Sequence, residues 1–213
     1  MIRLLGNIPN DCYVAVSGGV DSMVCLDFLL NGRYTPTVAY FDHGTEHGAD
    51  AKEFVNEVCE SNKIPLVVSQ ISREREKGES KEEYWRNERL NFFHGLDKPV
   101  ITAHHLDDVL EWWIFSSLHG ESKLIPYSNK NIIRPFLLTA KKDIIEWSIK
   151  KGVGHIVDPS NANESYMRNL IRHKIVPHAM RVNPGLRSVL RKKLEFQFNP
   201  TGSAHSRKNW YTA

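Results

Sequence analysis

Residues 13–30, YVAVSGGVDSMVCLDFLL, constrain this chain more than any other stretch. Four strand-like residues run straight into Ser-Gly-Gly-Val-Asp-Ser, and an apolar, helix-like segment follows at once. A buried strand that turns so abruptly into a helix leaves several backbone N–H groups unpaired at one point. Gly18 and Gly19 permit positive φ and close approach by a ligand, and Ser17 and Ser22 add hydroxyl donors. The helix dipole adds partial positive charge, so the junction suits an anion, phosphate in particular. The chain holds neither a GxxxxGK[ST] Walker string nor a GxGxxG dinucleotide fingerprint. A tight turn with no ligand is the plain alternative for two glycines taken alone.

The surroundings favour a nucleotide-binding architecture. Strands are expected at 13–16, 37–41, 66–69 and 100–103, and helices at 21–30, about 49–62, about 81–93 and 107–118. Short apolar strands alternating with helices indicate an α/β fold with a doubly wound, mainly parallel sheet and helices on both faces. Residues 119–131 form a polar connection, and IIRPFLL is a short extended piece. Thr139 is the expected N-cap of the helix AKKDIIEWSIKKG, which Gly152 ends in the left-handed manner. A helical segment ESYMRNLIRHKIVPHAMR and a last helix, roughly 185–196, follow. These patterns divide the chain into a nucleotide domain at 1–138, a small helical C-terminal region at 139–197 and a polar, disordered tail at 198–213.

Composition excludes some classes of function. No apolar run approaches the roughly 18–20 residues that span a bilayer, so no membrane partner is expected. The N-terminal MIRLLGNIPND is too short and too soon polar for a signal peptide. Cys12, Cys25 and Cys59 form no CxxC pair, and buried free thiols in a reducing cytoplasm are the expected state. Net charge is only +3, so its distribution matters more than its sum. From Ser165 to Lys193 there are eight Lys or Arg residues and no Asp or Glu, a run that self-repels unless something negative comes near. Arg168, Arg172 and Lys174, with His173 and Tyr166, suit tRNA phosphates and a stacked base, unless the run is merely a solvated face.

Three segments fall at the carboxyl ends of expected strands, where open α/β sheets bind ligands. Asp42 and His43 follow the second strand, and Arg86 and Arg89 share one face of the helix in EEYWRNERLNFF. In ITAHHLDDVLEWW, His104, His105, Asp107, Asp108 and Glu111 crowd the end of the fourth strand. That cluster fits a metal site, a cation pocket or a solvated helix start, and its ligand set does not suit zinc. Trp85, Trp112, Trp113 and Trp147 fall in expected helices, where core packing is the better reading.

In this setting SGGVDS resembles the pyrophosphate loop of the N-type ATP-pyrophosphatases, which cleave ATP to AMP and pyrophosphate. The resemblance implies an adenine nucleotide alpha hydrolase-like fold. It further implies that Ser17, Gly18, Gly19, Val20, Asp21 and Ser22 hold the β,γ-phosphates, with magnesium at Asp21. A loop without lysine suits pyrophosphate as leaving group better than γ-phosphoryl transfer. The ordered set of later motifs is similar to the tRNA(Ile)-lysidine synthetase family over about residues 12–180. It comprises D-H-G at Asp42, R-x-x-R at Arg86 and Arg89, and A-H-H-x-D-D-x-x-E from Ala103 to Glu111. Arg134-Pro135, Asp158-Pro159-Ser160-Asn161, Arg168-Asn169-Leu170-Ile171-Arg172 and Pro177 complete it.

That family adenylates the wobble cytidine of a CAU-anticodon isoleucine tRNA, and free L-lysine then displaces AMP. By resemblance Asp42, Arg86, Asp108 and Glu111 are catalytic. His43, Arg89, His104, Arg134, Asp158, Asn161, Arg168, Asn169 and Arg172 are assigned to lysine or tRNA. Val109 and Trp112 depart from the family's usual glutamine and threonine, and larger members carry further C-terminal domains. Two alternatives stand beside this reading: another tRNA-modifying enzyme of the same superfamily, and an idle ATP- or RNA-binding protein. The missing cysteine pair weighs against a thiolase, and the oligomeric state, a homodimer among the options, is left open.

Overall fold

The computed structural model describes residues 1–157 and 166–199. Its sheet has the order β3-β2-β1-β4-β6-β5, from β1 (Tyr13–Ala15), β2 (Thr37–Asp42), β3 (Leu66–Gln70), β4 (Val100–Ile101), β5 (Ser128–Asn129) and β6 (Ile132–Ile133). All neighbours are parallel except β5 and β6, which close the sheet with an antiparallel pair inside and beside the expected polar connection. The helices between strands are α1 (Val20–Asn31), α2 (Glu46–Asn62), α3 (Lys81–His94) and α4 (Leu106–Leu118). Each parallel strand therefore returns through a helix, and the doubly wound α/β expectation holds.

Period-two alternation along the strands assigns the two faces. Val14, Val16, Val38, Tyr40 and Ile101 point into a core with α1, with Ala51 and Val55 of α2, and with Ile144. Tyr13, Ala15, Ala39, Val100 and Ile132 meet Leu90 and Phe93 of α3 on the other side. Cys12, Cys25 and Cys59 are buried free thiols, and burial pushes the Cys12 thiol up to about 11.

After β6 the chain makes a 3-10 turn over Pro135–Leu138 and then α5 (Lys141–Lys151), which packs on α1. Thr139 does not cap α5. The N-cap is Ala140, which has no side-chain cap, while the Thr139 hydroxyl binds both backbone groups of Arg3. The cap comes instead from a distant carboxylate, Asp107 Oδ2, which accepts the Lys141 N–H at 2.8 Å. Gly152 does end α5 with φ of 64°.

The C-terminal helices are α6 (Met167–Leu170), α7 (Val176–Val182) and α8 (Leu186–Phe198), with a π-helical turn at Ile171–Ile175 between the first two. Pro177 lacks an N–H and its ring crowds the preceding turn, and the wider π turn relieves that conflict. Ile171, Leu186, Leu190 and Leu194 bury against Leu106, Val109 and Leu110 of α4, forming a third core. Among the described residues no helix is long and apolar enough to cross a membrane.

Candidate active site

The turn after β1 is shaped by two glycines with different tasks. Gly18 has φ of +81°, and a Cβ there would meet Ile156 at 3.1 Å. Gly19 has φ of −75° and is the N-cap of α1, without a side-chain cap. A Cβ on Gly19 would find only Ser17 Oγ, at 3.6 Å, so the space over the helix start is open. The buried Ser22 hydroxyl braces the turn: it accepts from the Ser17 N–H at 3.1 Å and donates to the Gly19 carbonyl at 2.9 Å. Across the turn the Ile156 N–H donates to the Gly18 carbonyl at 3.0 Å, which lays residues 153–157 beside the loop. The first-turn amides of α1 have no carbonyl one turn back, and the dipole's positive end faces the same opening. A phosphate fits this cradle.

Asp21 lies in the first turn of α1 and faces two basic side chains. Lys141 Nζ stands 2.5 Å from Asp21 Oδ1, and His105 Nε2 stands 3.6 Å from the same oxygen. Burial alone would raise the Asp21 carboxyl, but His105 and Lys141 outweigh it and hold the group below its ordinary value. The described residues contain no cluster of three metal-ligating side chains. A single half-exposed carboxylate beside a phosphate cradle fits magnesium, which favours one or two carboxylates plus substrate phosphates.

At the neighbouring end of β4 every carboxylate is engaged. His105 caps α4 reciprocally with Asp108: its N–H donates to Asp108 Oδ2 at 2.8 Å, and the Asp108 N–H approaches His105 Nδ1 at 3.3 Å. Asp107 accepts Arg187 Nε at 3.0 Å besides capping α5. Asp108 accepts a charged hydrogen bond from Arg168. Glu111 accepts Arg168 Nε at 3.0 Å and Arg172 through Nε at 2.6 Å and Nη2 at 3.0 Å. Burial would raise the Asp108 carboxyl, but His105, Arg168 and His104 hold it well below the usual carboxylate range.

A model of the PP-loop domain matches residues 5–179. The chain belongs to the PP-loop family. Membership implies the use of ATP. Curated relatives are called tRNA(Ile)-lysidine synthase. One from Thermotoga maritima is 35% identical over 190 residues, covering 80% of this chain and 45% of the relative. Another, from Francisella philomiragia, is 30% identical over 203 residues, covering 88% and 50%. A third, from Methylococcus capsulatus, is 31% identical over 186 residues, covering 79% and 42%. The chain thus spans about half the length, or less, of these relatives.

At the end of β4, on the strand next to the PP-loop strand, the structure gathers a basic wall. Arg86 and Arg168 bear on Arg89, Arg86 bears on Arg134, and Arg134, Arg168 and Arg89 bear on His104. Burial, with those arginines, pushes His104 down to about 3, and its Nδ1 meets Thr102 Oγ1 at 2.9 Å. Burial and Arg86 push Arg134 down to about 10. Arg134 is 8% exposed, its Nε has no partner among the described residues, and one Nη donates to the Pro126 carbonyl at 3.0 Å. Burial and Arg89 push His43 down to about 4, and the ring lies against Phe41 and Trp85.

Asp42 stands apart from the acidic pair. It accepts the Gly44 N–H at 2.8 Å and lines a cleft with Tyr40, Thr45, Lys52 and Asn56. Asn169 is buried on α6, whereas Asp158 and Asn161 lie outside the described residues, as does the tail from 200 onward. The departures from the family pattern have structural places: Val109 is fully buried in the third core, and Trp112 stacks on Phe115. Of the other tryptophans, Trp113 and Trp147 pack against the cores and Trp85 lies under Lys81. Trp210 lies outside the described residues. Sequence reasoning did not select Lys141 or Arg187 as site residues, and it named Asp107 only as a member of the cluster after the fourth strand. The one local sign of Lys141 was a basic residue opening the helix after Arg134-Pro135.

Proposed function

We propose that this chain makes lysidine: ATP adenylates the wobble cytidine of a CAU-anticodon isoleucine tRNA, and lysine displaces AMP. The observation that carries this reading is the PP-loop cradle set beside a buried carboxylate pair and a basic wall. In the first step the cytosine carbon-2 oxygen attacks the α-phosphorus, the bond to pyrophosphate breaks, and pyrophosphate departs. Ser17, Gly18, Gly19, Val20, Asp21 and Ser22 hold the two outer phosphates, Ser17 through its hydroxyl and Val20, Asp21 and Ser22 through the unpaired N–H groups of the first helical turn. Magnesium, bound through Asp21, would neutralise charge on the departing group. Arg86 and Arg89 contact the α-phosphate or the tRNA backbone, and Arg134 contributes to the same anion-binding wall.

In the second step the lysine ammonium loses a proton, the amine attacks carbon-2, and the carbon–oxygen bond to AMP breaks. Asp108 and Glu111 receive the ammonium in exchange for the guanidinium groups of Arg168 and Arg172, which turn to tRNA phosphate. His104, kept neutral by its surroundings, stands beside the pair as a hydrogen-bonding partner for the amine, one carboxylate of the pair takes the proton, and Asp42 and His43 border the nucleotide. Asp158, Asn161 and Asn169 take the part assigned to lysine or tRNA. Residues 139–197 act as a helical cover on the domain of residues 1–138. The three buried thiols fit the cytoplasm as compartment.

The test is direct: incubate the protein with ATP, magnesium, labelled lysine and a CAU-anticodon transcript. Incorporation of lysine with stoichiometric AMP release supports the reading. AMP release that needs a different nucleophile moves the protein to another tRNA-modifying branch, and no turnover at all makes it an idle binder.

A further inference from the structure

The loop Ser17–Ser22 contains no lysine, yet an ammonium group reaches it from 120 residues away. Lys141 is the first residue of α5, and contacts along that helix fix where its side chain starts. Its N–H is held by Asp107, and Asp107 is in turn held by Arg187. Farther along α5, Ile144 is buried in the core shared with α1. Trp147 Nε1 donates to Asp27 of α1 at 2.7 Å, and its ring lies 5.4 Å from Phe28. The start of α5 is thereby clamped to the helix that opens at the phosphate cradle.

Electrostatics makes this an expensive place for a lysine without an anion nearby. A cation in the first turn of α5 faces the positive end of that helix, and α1 presents its own positive end close by. Asp21 supplies one negative charge, but His105 already leans on the same carboxylate oxygen. Lys141 is also 37% exposed at its side chain, so its ammonium, while paired with Asp21, keeps N–H donors on the open side of the loop. A carboxylate alone at the mouth of an anion site would repel phosphate, and a paired lysine cancels that local charge while offering further N–H donors.

We propose that Lys141 is a phosphate-binding residue of this site, contacting the pyrophosphate end of bound ATP from across the loop. It supplies from a neighbouring helix the charge that Walker loops carry within themselves. The inference rests on the reading that the loop holds the two outer phosphates. The rival account is a purely structural clamp between α1 and α5.

Calorimetric titration of the whole chain with three probes separates these accounts: a non-cleavable ATP analogue, inorganic pyrophosphate and AMP. Lys141→Ala and Lys141→Met should weaken the analogue and pyrophosphate roughly 10–100-fold, the loss expected for a charged hydrogen bond. AMP binding and melting temperature should stay as in the wild type, Lys141→Arg should retain most of the affinity, and Lys142→Ala, on the exposed side of α5, should change nothing. Equal affinity of Lys141→Ala and wild type for analogue and pyrophosphate would overturn the proposal while leaving the loop reading intact. Parallel loss of AMP binding and melting temperature would also overturn it, in favour of the clamp. A wild-type chain that binds neither analogue nor pyrophosphate would remove the loop reading itself.

Discussion

The turns after β1 and β4 lie on adjacent parallel strands, but they are built from opposite materials. The first has glycines and small hydroxyls, a backbone carrying the charge, and open space over Gly19. The second is crowded with ionised side chains, and its two buried carboxylates are already satisfied by Arg168 and Arg172. A backbone cradle is ready for its ligand as it stands. A saturated ion-pair cluster accepts a new cation only by releasing an old one. ATP is therefore expected to bind without rearrangement, whereas lysine must compete with guanidinium groups.

The sharpest way to break that contrast is to remove the guanidinium groups. Asp108 and Glu111 are 8% and 5% exposed at their side chains, so the Arg168→Ala/Arg172→Ala variant leaves two charges buried without their partners. Removing one side of a buried pair costs about 3–5 kcal/mol, and the low end is expected because both arginines stay partly exposed. Urea unfolding at pH 7 measures it. Asp108 has a depressed carboxyl, so its contribution is present above its unfolded value of 3.8 and is lost as pH falls through the folded one. The deficit should begin to shrink only as pH falls below 3.8. Wild-type stability for this variant at pH 7 would mean that the carboxylates are wet and the two turns alike.

The second probe uses the histidines near the basic wall. His43 and His104 are pushed down to about 4 and about 3, so the unfolded chain binds protons that the folded one refuses. Their contribution is full above the unfolded value of 6.5 and is lost as pH falls toward those figures. His105 runs the other way: Asp108 and Asp21 overcome its burial and raise it, so it stabilises below 6.5 and loses that effect as pH rises. With two groups against one, the melting temperature should drop by roughly 5 °C between pH 7 and pH 5. His104→Gln should flatten the curve.

How far the sequence disclosed all this also differs between the two turns. The loop was legible because its meaning is local: an apolar strand, Gly18-Gly19, and a helix in one continuous stretch. The strands at Tyr13, Thr37 and Leu66 were legible for the same reason. The ion-pair cluster was not legible, since Arg168 and Arg172 meet Glu111 across 57 and 61 positions, and the two charge runs read separately as a cation pocket and a tRNA patch. The cap of α5 failed likewise. Thr139 was the local choice, but Asp107 reaches Lys141 from 34 positions away and leaves Thr139 to the backbone of Arg3. The two-residue strand Ser128–Asn129 is polar and exposed, and it shows no alternation from which to infer pairing.

Within the loop, the two glycines should separate stability from binding. Gly18→Ala forces a side chain into φ of +81° against Ile156, at a cost of about 1–2 kcal/mol in urea unfolding. Gly19→Ala, at φ of −75°, should fold normally yet weaken the ATP analogue, because its methyl group enters the cradle. If both variants lose stability equally, the opening over Gly19 is packing space and the contrast with β4 narrows.

The smallest effect belongs to Ser22. Its hydroxyl spans the loop from the Ser17 N–H to the Gly19 carbonyl, and both bonds are internal. Ser22→Ala leaves the Ser17 N–H without its acceptor, which costs about 1 kcal/mol. Ser17 is exposed, so Ser17→Ala should cost little stability and act mainly on phosphate affinity. The reversed pattern, Ser22→Ala folding as wild type while losing the analogue, would place the Ser22 hydroxyl on the phosphate. The loop would then resemble the β4 turn in one respect, needing to break an internal bond before it binds.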